Sequence, residues 1–295
     1  MSLLTTLLNP LEWFRAYRFH QQNAKFDKSS YDLELYLYSK ILTNDMLHYG
    51  YFEDINVKPE CISLQLLEDA QIRYAQNIIE QIKDDKNLIL DVGCGMGGLA
   101  KMMLDEGLSV EVLTPNKNQI EHISVKYPQL KRYHCKFEHI VTDNKYGTII
   151  NSESLQYITL DDAFAHVGKL LMPGGRWIIV DYFRTNETGI NKSGHLLSAF
   201  YQKCQTNNWR IVFEQDITKN VVPTIAFVNM YADRFLQPLK HFAFEKLRFK
   251  KAWLFYLVRG MREKIDAKIQ KERASIDPVM FLNEKKYVLF VLERK

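Results

Sequence analysis

The chain has 295 residues, of which 46% are hydrophobic and 25% charged, and it carries a net charge of +4. This composition is typical of a folded globular protein and excludes disordered, collagenous and low-complexity chains. The apolar run near the C-terminus, AWLFYLV at 252–258, is far shorter than the roughly 20 residues that cross a bilayer. We therefore expect no integral membrane architecture.

The basic charge is concentrated in one segment. Residues 234–271 contain eleven Lys and Arg against three acidic residues, a net +8, so the rest of the chain carries −4. A local excess of this size predicts a basic surface with a partner.

The four cysteines are widely spaced without a CxxC pair, which argues against a disulfide scaffold and a zinc ribbon. They indicate free thiols in a reducing compartment. The N-terminus lacks a basic region before its apolar residues and contains Pro10, so we expect no secretory signal and a cytoplasmic protein.

Apolar spacing predicts the elements in chain order. Helices are expected at 11–19, 31–42, 64–82, 98–106, 117–126, 161–171 and 195–206, and strands at 88–92, 110–113, 132–135, 148–151, 177–181, 209–218 and 287–292. The alternation of strand and helix predicts an α/β fold with a parallel sheet covered on both faces. Between the last two strands lies a long helical insertion, of the kind that often forms a lid or a binding element.

The string LILDVGCGMGGLA, at 88–100, combines a buried strand, a glycine loop and the start of a helix. Glycines let the backbone turn tightly and approach a ligand, and the helix N-terminus offers unpaired N–H groups. The loop matches both GxGxxG, a dinucleotide fingerprint, and DxGxGxG, the pattern of S-adenosylmethionine (SAM) binders.

The carboxylate of Asp91 separates these two interpretations. It would repel a pyrophosphate, whereas it suits a ligand that carries an ammonium and a sulfonium group. A dinucleotide site would also place an acid at the end of the second strand, where this chain has Leu113 and Thr114. The loop therefore favours SAM over a dinucleotide and over a turn without a ligand.

From 64 to 216, and again in the final strand, the chain resembles the class I SAM-dependent methyltransferases. It is most similar to the tocopherol, sterol, sarcosine/dimethylglycine and cyclopropane-fatty-acid-type branch. The matching motifs are the HYGYF loop at 48–52, Leu67 with Ala70 and Gln71, VLTPNKNQ at 112–119, SESL at 152–155 followed by Tyr157, LLMPGGRWIIVDYF at 170–183, and DIT at 216–218. The resemblance implies a Rossmann-like sheet of seven strands with the last one antiparallel.

It also implies a domain plan and a cofactor site. The plan is an N-terminal helical cap at 1–60, a SAM-binding core at 61–218, a helical lid at 219–285 and a final core strand at 286–295. In the site, Asp91, Gly93 and Gly95 hold the methionine part of SAM. The adenosine contacts come from Thr114, Gln119, Phe137 and Glu138, with Asn151 at the mouth of the fourth strand.

Methyl transfer depends mainly on positioning, but a carbon or hydroxyl acceptor also needs a base. The candidates are Glu153, Tyr157, His48, Tyr49 and Asp181, each of which could instead pack, cap or orient a loop. Cyclopropane synthases carry a histidine where this chain has Val180, so cyclopropanation is not expected. The remaining histidines show no metal-ligand spacing, and no metal is expected.

The basic insertion is also rich in aromatic residues, which is how an interfacial helix binds anionic headgroups. The same pattern suits a packed lid with a charged outer face, so both interpretations stay open. No RNA-binding module accompanies it, and nucleic acid is not expected. The predicted function is methyl transfer from SAM to a small, lipophilic acceptor of lipid metabolism, such as a prenyl, sterol, quinone or acyl compound. The alternatives are N-methylation of a small amine and a non-catalytic SAM-binding or membrane-adaptor role.

Overall fold

A seven-stranded sheet organises the fold in the computed structural model, which describes residues 8–23, 40–83, 86–188 and 192–295. The strands are β1 (Ile89–Val92), β2 (Val110–Leu113), β3 (Lys131–Tyr133), β4 (Tyr146–Ser152), β5 (Leu171–Arg184), β6 (Trp209–Asp216) and β7 (Lys285–Arg294). Their order is β3–β2–β1–β4–β5–β7–β6, with β7 antiparallel to both neighbours and the other neighbouring pairs parallel. The predicted α/β fold with an antiparallel last strand is confirmed.

Helices connect the strands and cover the sheet. Those in the described ranges are α1 (Pro10–Asn23), α2 (Leu64–Ile79), α3 (Gly98–Asp105), α4 (Lys117–Lys126), α5 (Leu160–Leu170), α6 (Leu197–Thr206), α7 (Thr218–Tyr231), α8 (Gln237–Lys250), α9 (Ala252–Leu257), α10 (Arg259–Ser275) and α11 (Pro278–Glu284). A π-helical segment, Ala232–Leu236, joins α7 to α8. None of the helices in the described ranges is long and apolar enough to cross a membrane.

The central strands are buried on both faces, as expected for a covered parallel sheet. All four residues of β1 are buried. Along β5, Ile178 and Val180 point into one hydrophobic cluster while Trp177 and Ile179 point into the other, on the opposite face. Because successive side chains of a strand point to opposite faces of the sheet, β5 contributes to the hydrophobic clusters on both faces.

Strand β7 inserts a distant part of the chain into the sheet, between β5 and β6. It pairs with β5 over nine residue positions, from Arg184↔Lys285 to Arg176↔Glu293, and places Tyr287 opposite Tyr182. Tyr287 is fully buried, beside the carboxyl ends of the parallel strands. Residues about 100 positions apart in the sequence therefore meet beside the carboxyl ends of the parallel strands.

The N-terminal segment is tied to the first helix of the insertion. The Phe52 backbone donates to the Asn220 carbonyl over 2.9 Å, and the Gly50 backbone donates to Thr224 Oγ1 over 3.0 Å. Phe52 and Phe227 share a small cluster with residues of α2. Helix α7 therefore holds the loop that precedes α2 in place.

The main differences from the predicted elements lie at their ends. Strand β5 starts at Leu171, six residues before the predicted start, since the MPGG sequence that suggests a turn continues the strand through an irregular register with β4. Helix α2 ends at Ile79, before the predicted end at 82. The predicted helix at 31–42 lies mostly outside the described residues.

Candidate active site

A cavity of about 580 Å³ opens at the carboxyl ends of β1, β2 and β4, below the loop at 45–48. Open α/β sheets bind their ligands at this edge. Ten of the thirteen predicted site residues line the cavity. They are His48, Asp91, Gly93, Gly95, Thr114, Gln119, Phe137, Glu138, Glu153 and Tyr157.

The glycine loop forms one wall of this cavity. Gly93 and Gly95 have φ angles of +77° and +56°, a left-handed conformation that strains other residues. A Cβ atom on Gly93 would lie 2.4 Å from Ser154 Cβ. The loop can take this path only because no side chain is present there.

Asp91 carries an unsatisfied carboxylate oxygen at the end of β1. The residue is 1% exposed, and within the described residues its Oδ2 has no hydrogen-bond partner. Burial raises the pKa of Asp91 to about 7. An unpaired buried carboxylate is costly, so the site is suited to a ligand that brings a positive charge. SAM carries such a charge on its amino acid end, and Asp91 together with the glycine wall fits it.

The end of β2 provides a polar edge. Thr114 Oγ1 donates to Gln119 Oε1 over 2.6 Å, and the Asn116 backbone donates to Thr114 Oγ1 over 3.2 Å. Asn116 in turn caps α4 by accepting from the backbone of Gln119. The Thr114 hydroxyl is therefore engaged within the protein, which leaves the Gln119 amide as the main polar group of this edge.

A short turn after β3 closes the next side of the cavity. Phe137 is buried, and its ring centroid lies 5.8 Å from that of His166. Lys136 and Glu138 also line the cavity, with their charged atoms 3.9 Å apart. Lys136 is absent from the predicted set, because a lysine in a turn carries no signal in the sequence.

Glu153 is held by a chain of hydroxyl groups. Its Oε1 accepts from Tyr287 Oη over 2.5 Å and from the Tyr49 backbone over 2.8 Å. Since the Tyr287 proton points at Glu153, Tyr74 must donate to Tyr287 over 2.9 Å, and Ser152 donates to Tyr74 over 3.2 Å. Burial raises the pKa of Glu153 to about 7, while the bonds from Tyr287 and Tyr49 lower it in part.

The backbone of Glu153 is also unusual, with a φ of +50°. Such a conformation in a residue other than glycine costs about 1–3 kcal/mol and is found at functional sites. It turns the side chain back toward the loop at 45–49, and the sequence gives no sign of this.

His48 lines the cavity, and one of its two ring nitrogens is buried without a hydrogen-bond partner among the described residues. Its Nδ1 lies 2.8 Å from the Tyr49 carbonyl, which can only accept, so the proton sits on Nδ1. The ring stacks on Tyr74 at 4.1 Å, and its buried Nε2 has no partner among the described residues. Burial lowers the pKa of His48 to about 4. At neutral pH the ring is uncharged, and Nε2 can accept a hydrogen bond.

Gln71 and Asp45 fix the loop that roofs the cavity. The Gln71 amide donates to the carbonyls of Met46 and His48 over 3.2 and 2.8 Å and accepts from Asn44 Nδ2 over 3.0 Å. Asp45 accepts from Tyr127 Oη over 2.6 Å and pairs with Lys126 Nζ at 2.6 Å on α4. Gln71 belongs to one of the motifs that carry the resemblance, but its role as the support of the roof was not predicted.

Three predicted groups do not face the cavity. The Tyr49 ring packs against Phe281 and Tyr287, so only its backbone serves the site. Asn151 is fully buried, with its amide donating to Ser154 and accepting from Trp177, because it lies inside the sheet and not at its mouth.

Asp181 is likewise buried outside the cavity. It accepts from the backbones of Gln156 and Tyr182 over 3.1 and 2.8 Å, which fits the turn-capping alternative. Tyr157 does reach the cavity, but at its rim, where it is 83% exposed.

Residues 90–177 match the family model of a methyltransferase domain. The chain is 28% identical over 144 residues to the sterol 4-C-methyltransferase strm-1 of Caenorhabditis elegans. This alignment covers 44% of this chain and 42% of that protein. It is also 28% identical over 109 residues to geranyl diphosphate 2-C-methyltransferase of Saccharopolyspora erythraea, covering 33% of this chain and 37% of that protein. The match thus spans about two fifths of the length of these curated relatives.

Solved structures share the fold at low sequence identity. A protein provisionally called a sarcosine dimethylglycine methyltransferase, from Galdieria sulphuraria, superposes with a TM-score of 0.65 at 14% identity, covering 90% of this chain and 98% of that one. A second neighbour is geranyl diphosphate C-methyltransferase of Streptomyces coelicolor, solved with Mg²⁺, geranyl diphosphate and S-adenosylhomocysteine. It superposes with a TM-score of 0.59 at 17% identity, covering 85% of this chain and 92% of that one. The [4+2]-cyclase SpnF superposes with a TM-score of 0.62 at 14% identity, covering 88% of this chain and 92% of that one.

The structural neighbours establish the fold, and the named cyclase among them means that the fold alone does not decide the reaction. The family model matches the segment that carries the glycine loop and β4. Residues 90–177 therefore form a methyltransferase domain, and the chain is similar to methyltransferases whose solved structures hold S-adenosylmethionine or S-adenosylhomocysteine.

Proposed function

We propose that the protein transfers the methyl group of SAM to a small, lipophilic acceptor. The observation that carries this proposal is the buried, unpartnered Oδ2 of Asp91 beside the glycine wall of the cavity. A cationic cofactor satisfies that oxygen, whereas a diphosphate would be repelled by it.

The lining residues support one arrangement of the cofactor. Asp91, with the backbone of Gly93 and Gly95, would bind the charged amino acid end. Gln119, and Thr114 behind it, would face the ribose. Phe137 would provide an apolar surface for the adenine, and Glu138 a hydrogen-bond acceptor beside it.

The bound cofactor supplies an electrophilic methyl group on sulfur, and S-adenosylhomocysteine remains after transfer. Within the protein, Glu153 would accept the proton that the acceptor loses as its new bond to carbon forms. With a pKa near 7, its carboxylate is present at neutral pH and basic enough for that transfer. The His48 Nε2 would accept a hydrogen bond from an O–H or N–H group and so orient the acceptor.

A lipophilic acceptor is supported by two lines of observation. Apolar side chains share the cavity with the polar ones, among them Met46, Leu47, Leu99 and Ile158. The two curated relatives are named for sterol and geranyl diphosphate substrates. We further propose that such an acceptor arrives from a lipid surface, through the insertion at 234–271.

The second candidate is a small amine, because a carboxylate and a bare imidazole nitrogen in one cavity also suit an N–H donor. Incubation with methyl-labelled SAM separates the candidates, using sterols, geranyl diphosphate and a polar amine mixture as acceptors and mass spectrometry as readout. Label in the sterol or prenyl fraction supports the proposal, and label only in amines favours N-methylation. Calorimetric binding of SAM without any labelled product would indicate a non-catalytic protein.

A further inference from the structure

One face of the segment that runs from the π-helical turn into α8 is apolar and faces solvent. Phe235, Leu239, Phe242 and Phe249 are 60%, 64%, 60% and 78% exposed. They follow one another at intervals of four, three and seven residues. Because each residue of an α-helix is rotated by 100° around the helix axis, these intervals place all four side chains within an arc of about 80° on one face. Together with Lys246, which lies on the same arc, we call these residues the exposed stripe.

The opposite face of α8 is less exposed. Gln237, Lys240, Phe244 and Leu247 are all partly buried there. Lys240 Nζ also pairs with Asp266 Oδ1 at 2.8 Å, which ties α8 to α10. The exposed stripe is therefore the more exposed face of α8, and it has no cover in the described part of the chain.

Positive charges accompany the stripe. Lys246 Nζ lies 5.4 Å from the Phe242 ring centroid, and Arg248 lies 5.3 Å from that of Phe249. The nearby acid Glu245 is paired with Arg248 at 2.9 Å. Since residues 234–271 carry a net +8, the field around the stripe is strongly positive.

The same combination continues in the next two helices. Tyr256, Leu257 and Met261 are 64%, 63% and 55% exposed. Arg259 lies 4.5 Å from the Tyr256 ring centroid. Exposed apolar side chains with cations directly over aromatic rings thus recur along the insertion.

We propose that the exposed stripe docks on an anionic lipid bilayer, with α8 lying in the plane of the headgroups. Aromatic and aliphatic side chains enter the acyl boundary, while lysines and arginines beside them bind phosphate and carboxylate groups. A protein partner is disfavoured, because the centre of a protein interface is depleted of lysine, and Lys246 sits in the middle of the stripe. Single-stranded nucleic acid could stack on the exposed phenylalanines, but it would leave the aliphatic Leu239, Leu257 and Met261 without a matching surface, whereas a bilayer covers both kinds of side chain.

The test is vesicle flotation with the full chain. Vesicles of phosphatidylcholine alone are compared with vesicles that contain about 30% phosphatidylserine, at low and high salt. We expect at least about tenfold stronger binding to the anionic vesicles, and weaker binding as salt screens the charges. The double variant Phe242→Ser/Phe249→Ser should lose about tenfold in binding, and Lys246→Glu/Lys250→Glu should remove the preference for anionic vesicles.

Matched controls change equally exposed positions elsewhere. Val125 and Val141 are 84% and 90% exposed on the core, so Val125→Ser/Val141→Ser should bind vesicles like the wild type. Lys117→Glu/Lys169→Glu controls for the loss of positive charge. Circular dichroism and SAM calorimetry confirm that the fold and the cavity are intact, so a failure here is distinct from a failure of methyl transfer.

Three outcomes would overturn the docking proposal. The first is no binding of the wild type to either vesicle, and the second is equal losses in stripe and control variants. The third is a dimer in size-exclusion chromatography that only the stripe variants dissociate, since the stripe would then be covered by a second copy of the chain.

Discussion

Tyr49 donates its backbone N–H to Glu153 Oε1 over 2.8 Å, across 104 positions of the chain. Its carbonyl accepts from His48 Nδ1, also over 2.8 Å. One residue of the roof loop therefore orients both candidate acid–base side chains. Displacement of this loop would release Glu153 and His48 together, so the roof and the chemistry are coupled.

The Tyr287→Phe variant tests Glu153 as a base. It removes the O–H that donates to Glu153 and keeps the ring. Because that bond lowers the pKa of Glu153, its loss should raise this pKa further above about 7. A base acts in its ionised form, so the acid limb of the kcat/KM profile should move to higher pH. Tyr201→Phe, which removes a hydroxyl bond to Glu214, is the control. An unmoved profile would assign the proton transfer to another group.

Asp91→Asn should weaken SAM binding by about ten- to a hundredfold, since a charge-assisted contact is lost. Burial holds the pKa of Asp91 at about 7, so the wild type should bind SAM more weakly at pH 6 than at pH 8. The variant should show no such dependence. Calorimetry at both values measures it, and equal affinity of variant and wild type would remove Asp91 from the cofactor site.

The same substitution makes a separate prediction about stability. The folded pKa of Asp91, about 7, lies above its unfolded value of about 3.9, so its contribution to stability is fully present below about pH 4 and is lost as the pH rises to 7. At pH 8 the unliganded Asp91→Asn variant should therefore have a higher Tm than the wild type. Below about pH 4 the two should differ little, since Asp91 is then protonated in both the folded and the unfolded state. A lower Tm of the variant at pH 8 would contradict the burial of an unpaired charge.

Gly93→Ala should be strongly destabilising. Its φ of +77° costs a side chain about 1–2 kcal/mol, and the new Cβ would lie 2.4 Å from Ser154 Cβ. Gly107 has a φ of +81°, but a Cβ atom there would have no neighbour within 4 Å, so Gly107→Ala should show the backbone cost alone. Urea unfolding compares the two free energies. Equal losses would mean that Ser154 yields to the new methyl group.

The fold could be predicted because its signals are local. Strand β2 and helix α4 have the predicted bounds, since each is a short periodic run between polar residues. The glycine wall was predictable for the same reason, as Asp91 and its glycines lie within a few positions. The partner of Glu153 was not, because Tyr287 lies 134 positions away on a strand whose alternation indicates only core packing.

The Gln71 amide supports the roof of the cavity together with Asp45, and Gln71→Leu would remove the amide contacts. This side chain makes three hydrogen bonds to the loop, to Asn44 and to the carbonyls of Met46 and His48. Leucine of similar size leaves those groups buried without partners, at about 1–3 kcal/mol each. We expect a lower free energy of unfolding and faster amide hydrogen exchange at 44–50. Gln76→Leu, at an exposed position of the same helix, should change neither. If exchange at 44–50 stayed slow in Gln71→Leu, then the Asp45 contacts with α4 would suffice to hold the roof.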